Sequence, residues 1–410
     1  MSNALQTTPL TRPRLAGRAF GKPAAPGALV VGGDYQGLSI VRSLGSRGIP
    51  VCVVDDETSI ARFSKYTSKA ISLPGLRQEH SAVEAVLRVS SELGLDGWVL
   101  YPTRDEHVAA FSRHRQRLSS ILRVPTPEWD CIRWAWDKRN TYQRADALGI
   151  PTPRTFYPKT LDDLKRIDFP PPYAIKPAIK EHFIYSTHAK AWRANNADEL
   201  ELLCRQAAQI LTVDEIMVQE IVPGGGANQV SYCAFRRDGV AVGKMVACRK
   251  RQHPLEFGRA STFVESMDLP VVEHHSESFL NSIDYYGLVE VEYKCDPRDG
   301  RYKLLDVNAR TWGYLSLGAR AGVDFSYMLY ADQLGLPVQT CSAKPGVSWM
   351  RLTTDLPTAL LGCWVGEINI AGYLRSLWSC NVEAVFSMTD PLPGLAEMSL
   401  LPYLVLRKGF

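Results

Sequence analysis

Two glutamates, one aspartate and one asparagine occur within 19 residues, at spacings that could bring them together: Glu290, Glu292, Asp306 and Asn308. Oxygen ligands of this kind suit a hard divalent cation, and Mg²⁺ is usually held by one or two carboxylates plus substrate phosphates. Like charges brought face to face repel unless something cationic lies between them. The four residues therefore predict a metal site, and a solvated acidic face is the alternative.

A β-hairpin would position these side chains. Two runs that alternate apolar with polar residues, 289–294 and 305–310, flank the break Asp-Pro-Arg-Asp-Gly, and such a pattern predicts two paired strands. A three-residue loop at 298–300 pairs Glu292 with Asp306 and Glu290 with Asn308. A two-residue turn would shift the parity and separate Glu292 from Asp306, so the metal prediction depends on the loop.

The length and composition indicate a globular protein of two or three packed units. The chain has 410 residues, of which 45% are hydrophobic and 22% charged, and its net charge of +4 is too slight to predict a nucleic-acid partner. Nine cysteines without a C-x-x-C pair, and no signal peptide, favour a reduced, cytoplasmic compartment. Residues 1–27 predict a flexible tail. The longest apolar run, about 356–374, predicts a packed helix and no transmembrane segment.

A βαβ unit opens the ordered part of the sequence. An apolar strand over 28–31 leads through Gly32-Gly33 into a helical pattern, and a second strand ends at Asp55 and Asp56. A glycine turn at a helix N-terminus can bind phosphate, and an acidic residue about twenty positions on fits a dinucleotide-binding motif. The glycine spacing is not G-x-G-x-x-G, however. Glycines that only let the strand turn into the helix are the simpler interpretation.

A further strand, 98–101, runs into three charged residues: Arg104, Asp105 and Glu106. Charged groups beyond the carboxyl end of a parallel strand lie where open α/β sheets bind ligands. These three are predicted to contact substrate. The alternative is that the two acids only favour the start of the next helix.

Four further charged residues are candidates for the site, and two of them stand at the ends of predicted strands. Lys138 alone would be an ordinary surface lysine, whereas Lys176 ends a short apolar strand, where a charge usually needs a partner. Glu220 stands where a strand breaks into a glycine loop. Arg249 belongs to the cluster Arg249-Lys250-Arg251, which a solvated strand edge also explains.

Taken together and in order, these segments resemble the ATP-grasp superfamily, closest to its carboligase branch, which includes D-aspartate ligase and the carbamoyl-phosphate synthase large chain. The resemblance covers roughly residues 28–335. It rests on five segments: Asp137-Lys138, Ile175-Lys176-Pro177, Gln219 to Gly224, Glu290-Val291-Glu292, and Asp306 to Arg310.

The resemblance implies a fold and a division into domains. An N-terminal Rossmann-like pre-ATP-grasp domain, 28–125, would precede a two-lobed α+β ATP-grasp domain, 126–335, with lobes of about 126–215 and 216–335. Residues 336–410 would form a C-terminal segment whose role the sequence does not indicate; covering the active site, completing an interface and leaning on a membrane are the options. The N-terminal domain would help to hold substrate and would not bind NAD.

The resemblance also implies site residues. Lys138 and Lys176 would bind the nucleotide phosphates, and Glu220 with Ile221 would line the adenine and ribose pocket. Glu292, Asp306 and Asn308 would hold Mg²⁺, with Mn²⁺ as an alternative. Arg310 would stabilise the transferred phosphoryl group. Arg249 and Lys176 complete the predicted catalytic set.

Three positions depart from the family pattern. Asp306 stands where a glutamate is usual, and Ala309 replaces the usual proline. The glycine-rich phosphate flap expected after Lys176 is absent. Backbone N–H groups of residues 185–187, including Ser186 and Thr187, are predicted to cover the phosphates instead, with Lys180 or Lys190 adding charge.

The function predicted from all this is ATP-dependent ligation of a carboxylate to an amine or another nucleophile, forming a carbon–nitrogen bond through an acyl phosphate. ATP and Mg²⁺ are the expected cofactors, small carboxylates and amines are the expected partners, and a homodimer is left open. The alternatives are a nucleotide-binding module without turnover and, ranked lower, an NAD-dependent oxidoreductase. No G-x-S-x-G or H-E-x-x-H motif occurs.

Overall fold

A computed structural model describes residues 25–254, 257–258 and 260–408. The predicted tail lies outside the described residues as far as residue 24. Three β-sheets organise the chain, and helices pack against each of them.

The first sheet is parallel throughout, with strand order β3-β2-β1-β4. Its two central strands, β1 and β2, are fully buried and rich in Val, as expected for strands covered on both faces, whereas the edge strand β3 is partly exposed. Its strands and helices, with the helices that follow it, are β1 Ala28–Val31, α1 Tyr35–Gly45, β2 Val51–Asp55, β3 Lys69–Ser72, α2 Glu79–Leu93, β4 Val99–Pro102, α3 Asp105–Arg113 and α4 Arg115–Leu118.

The second sheet is small and antiparallel, with strand order β5-β8-β6-β7. Its strand β8 begins at Ile216, just after the lobe boundary predicted at about 215, and pairs with β5 and β6 of this sheet. The elements of this region are α5 Trp129–Trp136, α6 Lys138–Ala147, β5 Thr155–Phe156, β6 Tyr173–Pro177, α7 Glu181–Thr187, β7 Trp192–Ala194, α8 Ala197–Ala207 and β8 Ile216–Glu220.

The third sheet has eight strands and holds the predicted hairpin at one edge. Its main order is β13-β12-β9-β10-β11-β15-β16, and β14 pairs with β10. Its elements up to the hairpin and beyond are β9 Gln229–Arg237, β10 Val240–His253, β11 Ala260–Met267, α9 Pro270–Ser282, β12 Gly287–Cys295, β13 Tyr302–Asn308, α10 Leu315–Arg320 and α11 Phe325–Gln333.

The C-terminal segment is partly built into the third sheet. Its elements are β14 Cys341–Ser342, β15 Ser348–Met350, α12 Leu352–Trp364, α13 Ile370–Trp378, β16 Val382–Glu383 and α14 Leu392–Lys408. The apolar run that predicts one packed helix forms two helices instead, and much of its apolar surface is exposed. That expectation was wrong, because a hydrophobic run does not reveal which of its faces meets the protein. Within the described ranges, no helix combines the length and the apolar character needed to cross a bilayer.

Two apolar cores hold the hairpin in place. One lies between the parallel sheet and the third sheet and includes Trp312, Tyr314 and Trp349. The other packs α5, α6 and α9 against the opposite face of the third sheet, under Val291 and Tyr293. The hairpin strand β12 is therefore buried on both faces, and charged side chains on it need partners.

Candidate functional site

The two hairpin strands pair as predicted at the acidic residues, but the loop between them differs from the predicted one. Glu292 lies opposite Asp306 and Glu290 lies opposite Asn308. Nearer the loop, however, Cys295 pairs with Tyr302, and Asp296 N–H donates to the Arg301 carbonyl at 2.9 Å. If the pairing at this loop continued unchanged along the strands, Glu292 and Asp306 would point to opposite faces.

A β-bulge restores the parity. The register shifts between Glu292 and Tyr293, which leaves Leu305 as the extra residue on β13. The backbone polar groups at the bulge find partners outside the hairpin. The Tyr142 hydroxyl donates to the Leu305 carbonyl at 2.9 Å, and Leu304 N–H donates to the Pro151 carbonyl at 2.7 Å. The pairing of the acidic residues thus depends on α6 and on the segment that follows it.

The acidic side chains have cationic and amide partners. Arg249 Nη2 lies 3.1 Å from Glu292 Oε2, and Lys138 Nζ lies 2.5 Å from Asp306 Oδ1. The Asn308 amide donates to Glu292 at 2.8 Å and to Glu290 at 3.1 Å. Among the described residues, no three His, Cys, Asp or Glu side chains cluster closely enough to hold a metal by themselves. Two carboxylates on one face still match the usual protein share of a Mg²⁺ site.

The two glutamates have opposite electrostatic environments. Burial, reinforced by the charge of Glu292, raises the pKa of Glu290 to about 7. Burial also opposes ionisation of Glu292, but Arg249, Lys190 and the Asn308 hydrogen bond outweigh it and lower the pKa of Glu292 to about 2. Glu292 is therefore the ionised member of the pair, and Glu290, which accepts a 2.6 Å hydrogen bond from Tyr314, lies behind it.

The predicted catalytic arginines flank this acidic face. Arg249 also donates to Gln229 at 3.1 Å. On the other side, Arg310 donates to Asn308 Oδ1 at 3.0 Å and to Asp105 at 2.9 Å. Both guanidinium groups are held by several contacts, so each presents its charge in a fixed position.

A cavity between the small sheet and the third sheet brings the remaining predicted residues together. Its lining includes Glu292 and Asp306, three lysines (Lys138, Lys176, Lys190), and the Glu220-Ile221 segment. Segments nearly 170 residues apart in sequence, from Lys138 to Asp306, thus meet around one space. Opposite charges face each other across it.

Lys176 projects into this cavity from the end of β6, as predicted. Its Nζ donates to Gln219 Oε1 at 3.0 Å and lies 3.4 Å from the Tyr142 hydroxyl. Burial lowers the pKa of Lys176, and the charges of Asp306 and Glu292 only partly oppose this. Its close partners are neutral, so an anion entering the cavity would meet an uncompensated cation.

Glu220 lines the cavity at the end of β8, but its carboxylate is bound to the protein. It accepts from Lys303 at 2.7 Å, from Arg298 at 2.8 Å and from Arg154 N–H at 3.0 Å. Lys303 and Arg298 also pair with Asp296 in the hairpin loop. The end of β8 is thereby fastened to the hairpin.

The segment after Lys176 is a helix and not an extended flap. The helix α7 spans Glu181–Thr187, so the backbone N–H groups of residues 185–187 donate within it. Ser186 and Thr187 do not line the cavity in the described structure. Their predicted role as phosphate contacts stays a prediction, and in the described conformation the backbone N–H groups it would use are engaged within α7.

The three residues after strand β4 have different environments. Asp105 pairs with Arg310 and with Lys180, which brings it to the acidic face. Arg104 instead pairs with Asp55 and Asp56, and Glu106 accepts a hydrogen bond from Tyr185 at 2.6 Å. Only Asp105 contacts a predicted catalytic residue.

The glycine turn of the first βαβ unit is also closed by internal contacts. Gly33 N–H donates to Asp55 at 2.6 Å, and Arg104 occupies the other oxygen of that carboxylate. A Cβ on Gly32 would lie 2.1 Å from the Thr103 hydroxyl, so glycine is required there for packing. Asp55 is therefore engaged by protein groups and not directed at a dinucleotide ribose.

Lys190, which was predicted only as an alternative to Lys180 for adding charge, lines the cavity, and so do groups to which sequence reasoning gave no role. Lys190 Nζ reaches Gly258 O at 3.1 Å across the cavity, and burial lowers its pKa to about 8. Gln219 holds Lys176, and Tyr142 joins Lys176 to the bulge. Gln219 precedes Glu220 in the same strand, which was the one local signal for it.

Solved structures show which fold this architecture has. A parallel α/β domain, a small antiparallel lobe and a larger lobe with an acidic hairpin form the ATP-grasp fold, so the predicted fold class is confirmed. An L-amino acid ligase from Bacillus licheniformis has a TM-score of 0.59 at 14% identity, covering 76% of this chain and 74% of that one. The biotin carboxylase domain of a Hydrogenobacter thermophilus 2-oxoglutarate carboxylase, solved with MgADP, ADP and bicarbonate, has a TM-score of 0.62 at 14% identity, covering 78% and 73%.

A sequence relative gives a more particular likeness. The chain is 23% identical to a D-aspartate ligase of Enterococcus faecium over 306 residues, which are 69% of this chain and 70% of that protein. No family model matches the chain. The predicted resemblance to ATP-grasp enzymes, D-aspartate ligase among them, is confirmed.

Proposed function

We propose that this protein is an ATP-dependent ligase that joins a carboxylate to an amine through an acyl phosphate. The observation that carries the proposal is the cavity in which Lys138, Lys176 and Lys190 face the hairpin carboxylates Glu292 and Asp306. Phosphoryl transfer needs little side-chain covalent chemistry, but it needs anions held in place and their charge neutralised. This cavity provides cations and metal ligands together.

ATP would lie with its base near Ile221 and its phosphates toward the lysines. Lys176 has neutral partners, and Lys190 is free to exchange its contact with Gly258 O for a phosphate oxygen. Lys138 is paired with Asp306 and would be released when a metal takes that carboxylate. The three lysines thus replace the contacts that a glycine-rich flap gives in related enzymes.

Glu292 and Asp306 would hold Mg²⁺, and Asn308 would join them after its amide rotates. The donor set fits this ion, because two carboxylates on one face plus phosphate oxygens are its usual environment. When bound, Mg²⁺ would supply positive charge that offsets the negative charge of the phosphates. Glu290, which has a raised pKa, donates no ligand in this arrangement and lies behind Asn308 and Glu292.

The reaction would proceed in two steps. A substrate carboxylate oxygen attacks the γ-phosphorus of ATP, and the bond to ADP breaks to leave an acyl phosphate. An amine nitrogen then attacks the acyl carbon, phosphate leaves with the bonding electrons, and the nitrogen loses a proton. Arg310, held by Asp105 and Asn308, is placed to stabilise the negative charge in both steps.

Amino acids are the proposed acids. The sequence relative is a D-aspartate ligase and a structural relative is an L-amino acid ligase. D-Aspartate and the L-amino acids should therefore be tested first as carboxylate donors. Asp105 is the residue of the N-terminal domain proposed to contact them, since it reaches Arg310.

The test is a screen for ADP release with pairs of carboxylic acids and amines. Turnover that requires both substrates, yields phosphate and amide in equal amounts, and is lost in Asp306→Asn would support the proposal. ATP binding with no ADP released for any pair would contradict it.

A nucleotide-binding module without turnover is the second candidate. The observation that favours it is the helix α7, which stands where related enzymes have a mobile flap. Hydroxylamine, added as a small nucleophile, separates the two candidates, because it traps an acyl phosphate as a hydroxamate even when the natural amine is unknown. A module would bind ATP and form no hydroxamate.

A further inference from the structure

In helix α12 polar residues face the protein and large apolar residues face outward, which is the reverse of the usual arrangement. The side that packs on strands β10 and β11 carries Thr354, Asp355, Thr358 and the small residues Ala359 and Gly362, all buried. A helix on a protein surface normally turns its apolar stripe inward. Here the polar stripe is inside.

Specific contacts fix this orientation. Arg251 of β10 forms a two-pronged ion pair with Asp355, with both distances 2.8 Å, and also donates to Ser376 of α13 at 3.0 Å. His253 lies 3.1 Å from the Thr358 hydroxyl. Breaking a buried arginine–carboxylate pair costs several kcal/mol, so the helix cannot turn its apolar side inward without a large loss.

The outer side of these helices is apolar at helical spacing. In α12 the exposed residues Leu356, Leu360 and Trp364 are four apart, and in α13 Ile370, Leu374 and Trp378 repeat the same spacing. Twelve of the twenty large hydrophobic side chains that are exposed among the described residues lie between Leu356 and Met398. We call the exposed large apolar side chains of α12, α13 and the loop between them the apolar face: Leu356, Leu360, Leu361, Trp364, Val365, Ile370, Leu374 and Trp378.

The charges around the apolar face are mainly basic. Between Leu356 and Trp378 the only charged residues are Glu367 and Arg375. The loop between the two helices borders a cleft whose exposed charged side chains include Arg193 and Lys250 against Glu367. Arg298 also lies there, but its charge is engaged by Glu220 and Asp296. An apolar surface beside a basic rim is complementary to an anionic lipid surface.

We propose that the apolar face docks this protein onto the surface of an anionic lipid bilayer. Trp364 and Trp378 are 84% and 90% exposed, so their indole rings project beyond the surface and do not lie in a groove. The headgroup region of a bilayer surrounds projecting indoles, which prefer such an interface. A second protein copy would need pockets for both rings.

This mode of attachment lies on the membrane and does not span it. It accords with helices of 13 and 9 residues, each apolar along one side only. It also explains why the polar side of α12 faces inward, since a helix held between protein and lipid needs its polar groups on the protein side. The inference is independent of the ligase activity.

The test uses the full chain and lipid vesicles of two compositions, phosphatidylcholine alone and phosphatidylcholine mixed with phosphatidylglycerol. Co-sedimentation and the blue shift of tryptophan emission are the two measurements. We expect binding to the anionic vesicles that weakens with salt, and a loss of at least about tenfold in the double variant Trp364→Ser/Trp378→Ser. The matched control is Leu202→Ser/Ile210→Ser, which removes two exposed apolar side chains from the small lobe and should change nothing.

Two outcomes would overturn the proposal. One is equal recovery of the parent and the Trp364→Ser/Trp378→Ser variant with anionic vesicles. The other is a concentration-dependent dimer, measured by light scattering, that the variant abolishes while neither protein binds vesicles; the apolar face would then be an interface between copies. Both altered side chains are exposed, so the variant should fold, and its circular dichroism spectrum checks this.

Discussion

The acidic hairpin and the α12–α13 helices both reverse the usual distribution of residues. In the hairpin region, charged groups such as Glu292 and Arg249 are buried, whereas in the helices Leu360 and Trp364 face outward. Buried charges are tolerated where partners surround them, and exposed apolar side chains are tolerated at small cost to folding. The two regions therefore suit different proposed ligands: the buried charges of the hairpin suit ions, and the exposed apolar side chains of α12 and α13 suit a lipid surface.

The largest effect on stability should come from removing a buried cation. Arg249→Met leaves Glu292 buried without its charge partner, which should lower the free energy of unfolding by about 3–5 kcal/mol. Chemical denaturation measures this. The double variant Arg249→Met/Glu292→Gln, which removes both charges, should recover most of the loss; a double variant no more stable than the single one would show that packing and not charge was lost.

Replacing the paired carboxylate of the hairpin should affect turnover most. Asp306→Asn keeps the side-chain shape but removes a proposed metal ligand, and we expect ADP release to fall by about 10²–10³-fold. Asp299→Asn, in the exposed loop of the same hairpin, is the control and should retain activity. Normal turnover by Asp306→Asn would remove Asp306 from the site.

Removing the lysine at the end of β6 should weaken nucleotide binding. Lys176→Met should cost about 1.5–3 kcal/mol of ATP affinity, the value of one charge-assisted hydrogen bond, and leave the thermal stability close to that of the parent. Calorimetric titration with ATP measures the loss. Lys165→Met, on an exposed part of the small lobe, is the matched control.

The pH dependence of ATP binding should report Lys190. Burial lowers its pKa to about 8 without ligand, and a bound phosphate would raise it. Binding then takes up a proton, so ATP affinity should be constant below about pH 7 and fall as the pH rises through 8 and above. Lys190→Met should lose this dependence, and an unchanged pH profile in that variant would assign it to another group.

The smallest effect is expected for the exposed tryptophans. Trp364→Ser and Trp378→Ser should each change the free energy of unfolding by no more than about 0.5 kcal/mol, because their rings make few contacts in the folded chain. Trp349→Ala, in the core beside Tyr314, should cost about 3–5 kcal/mol by contrast. A large loss at Trp364 or Trp378 would mean that the apolar face is covered by the protein itself.

The alternation of residues was enough to predict the hairpin and its acidic pairs, because strand faces follow a period of two. The three-residue loop that was predicted to set this pairing is not what sets it. The loop has the unfavourable parity, and the bulge at Leu305 corrects it. Nothing local indicates a bulge there, since its groups are satisfied by Tyr142 and Pro151, more than 150 residues away in sequence.

The sequence alone did not indicate which residues meet across the third sheet, nor which side of a helix packs on the protein. Arg249 reaches Glu292 because β9 lies between their strands, and that order follows from the fold and not from spacing. The apolar run after Leu356 predicts a packed helix, because hydrophobicity alone does not show that Thr354, Asp355 and Thr358 form the side of α12 that faces the protein. The helix α7 was missed because the family pattern, and not local propensity, guided the prediction there.

The contacts at the two ends of the cavity differ in strength, and this has a mechanical consequence. At one end Glu220 is fastened to the hairpin loop through Arg298 and Lys303. At the other end, among the described residues that line the cavity, Lys190 donates a hydrogen bond to Gly258 O. A rotation of the small lobe about Glu220 would have to break the contact from Lys190, together with the contacts of α7 and its N-cap residue to Asp105 and Glu106. Opening the cavity in this way would release the same lysine that a phosphate would engage.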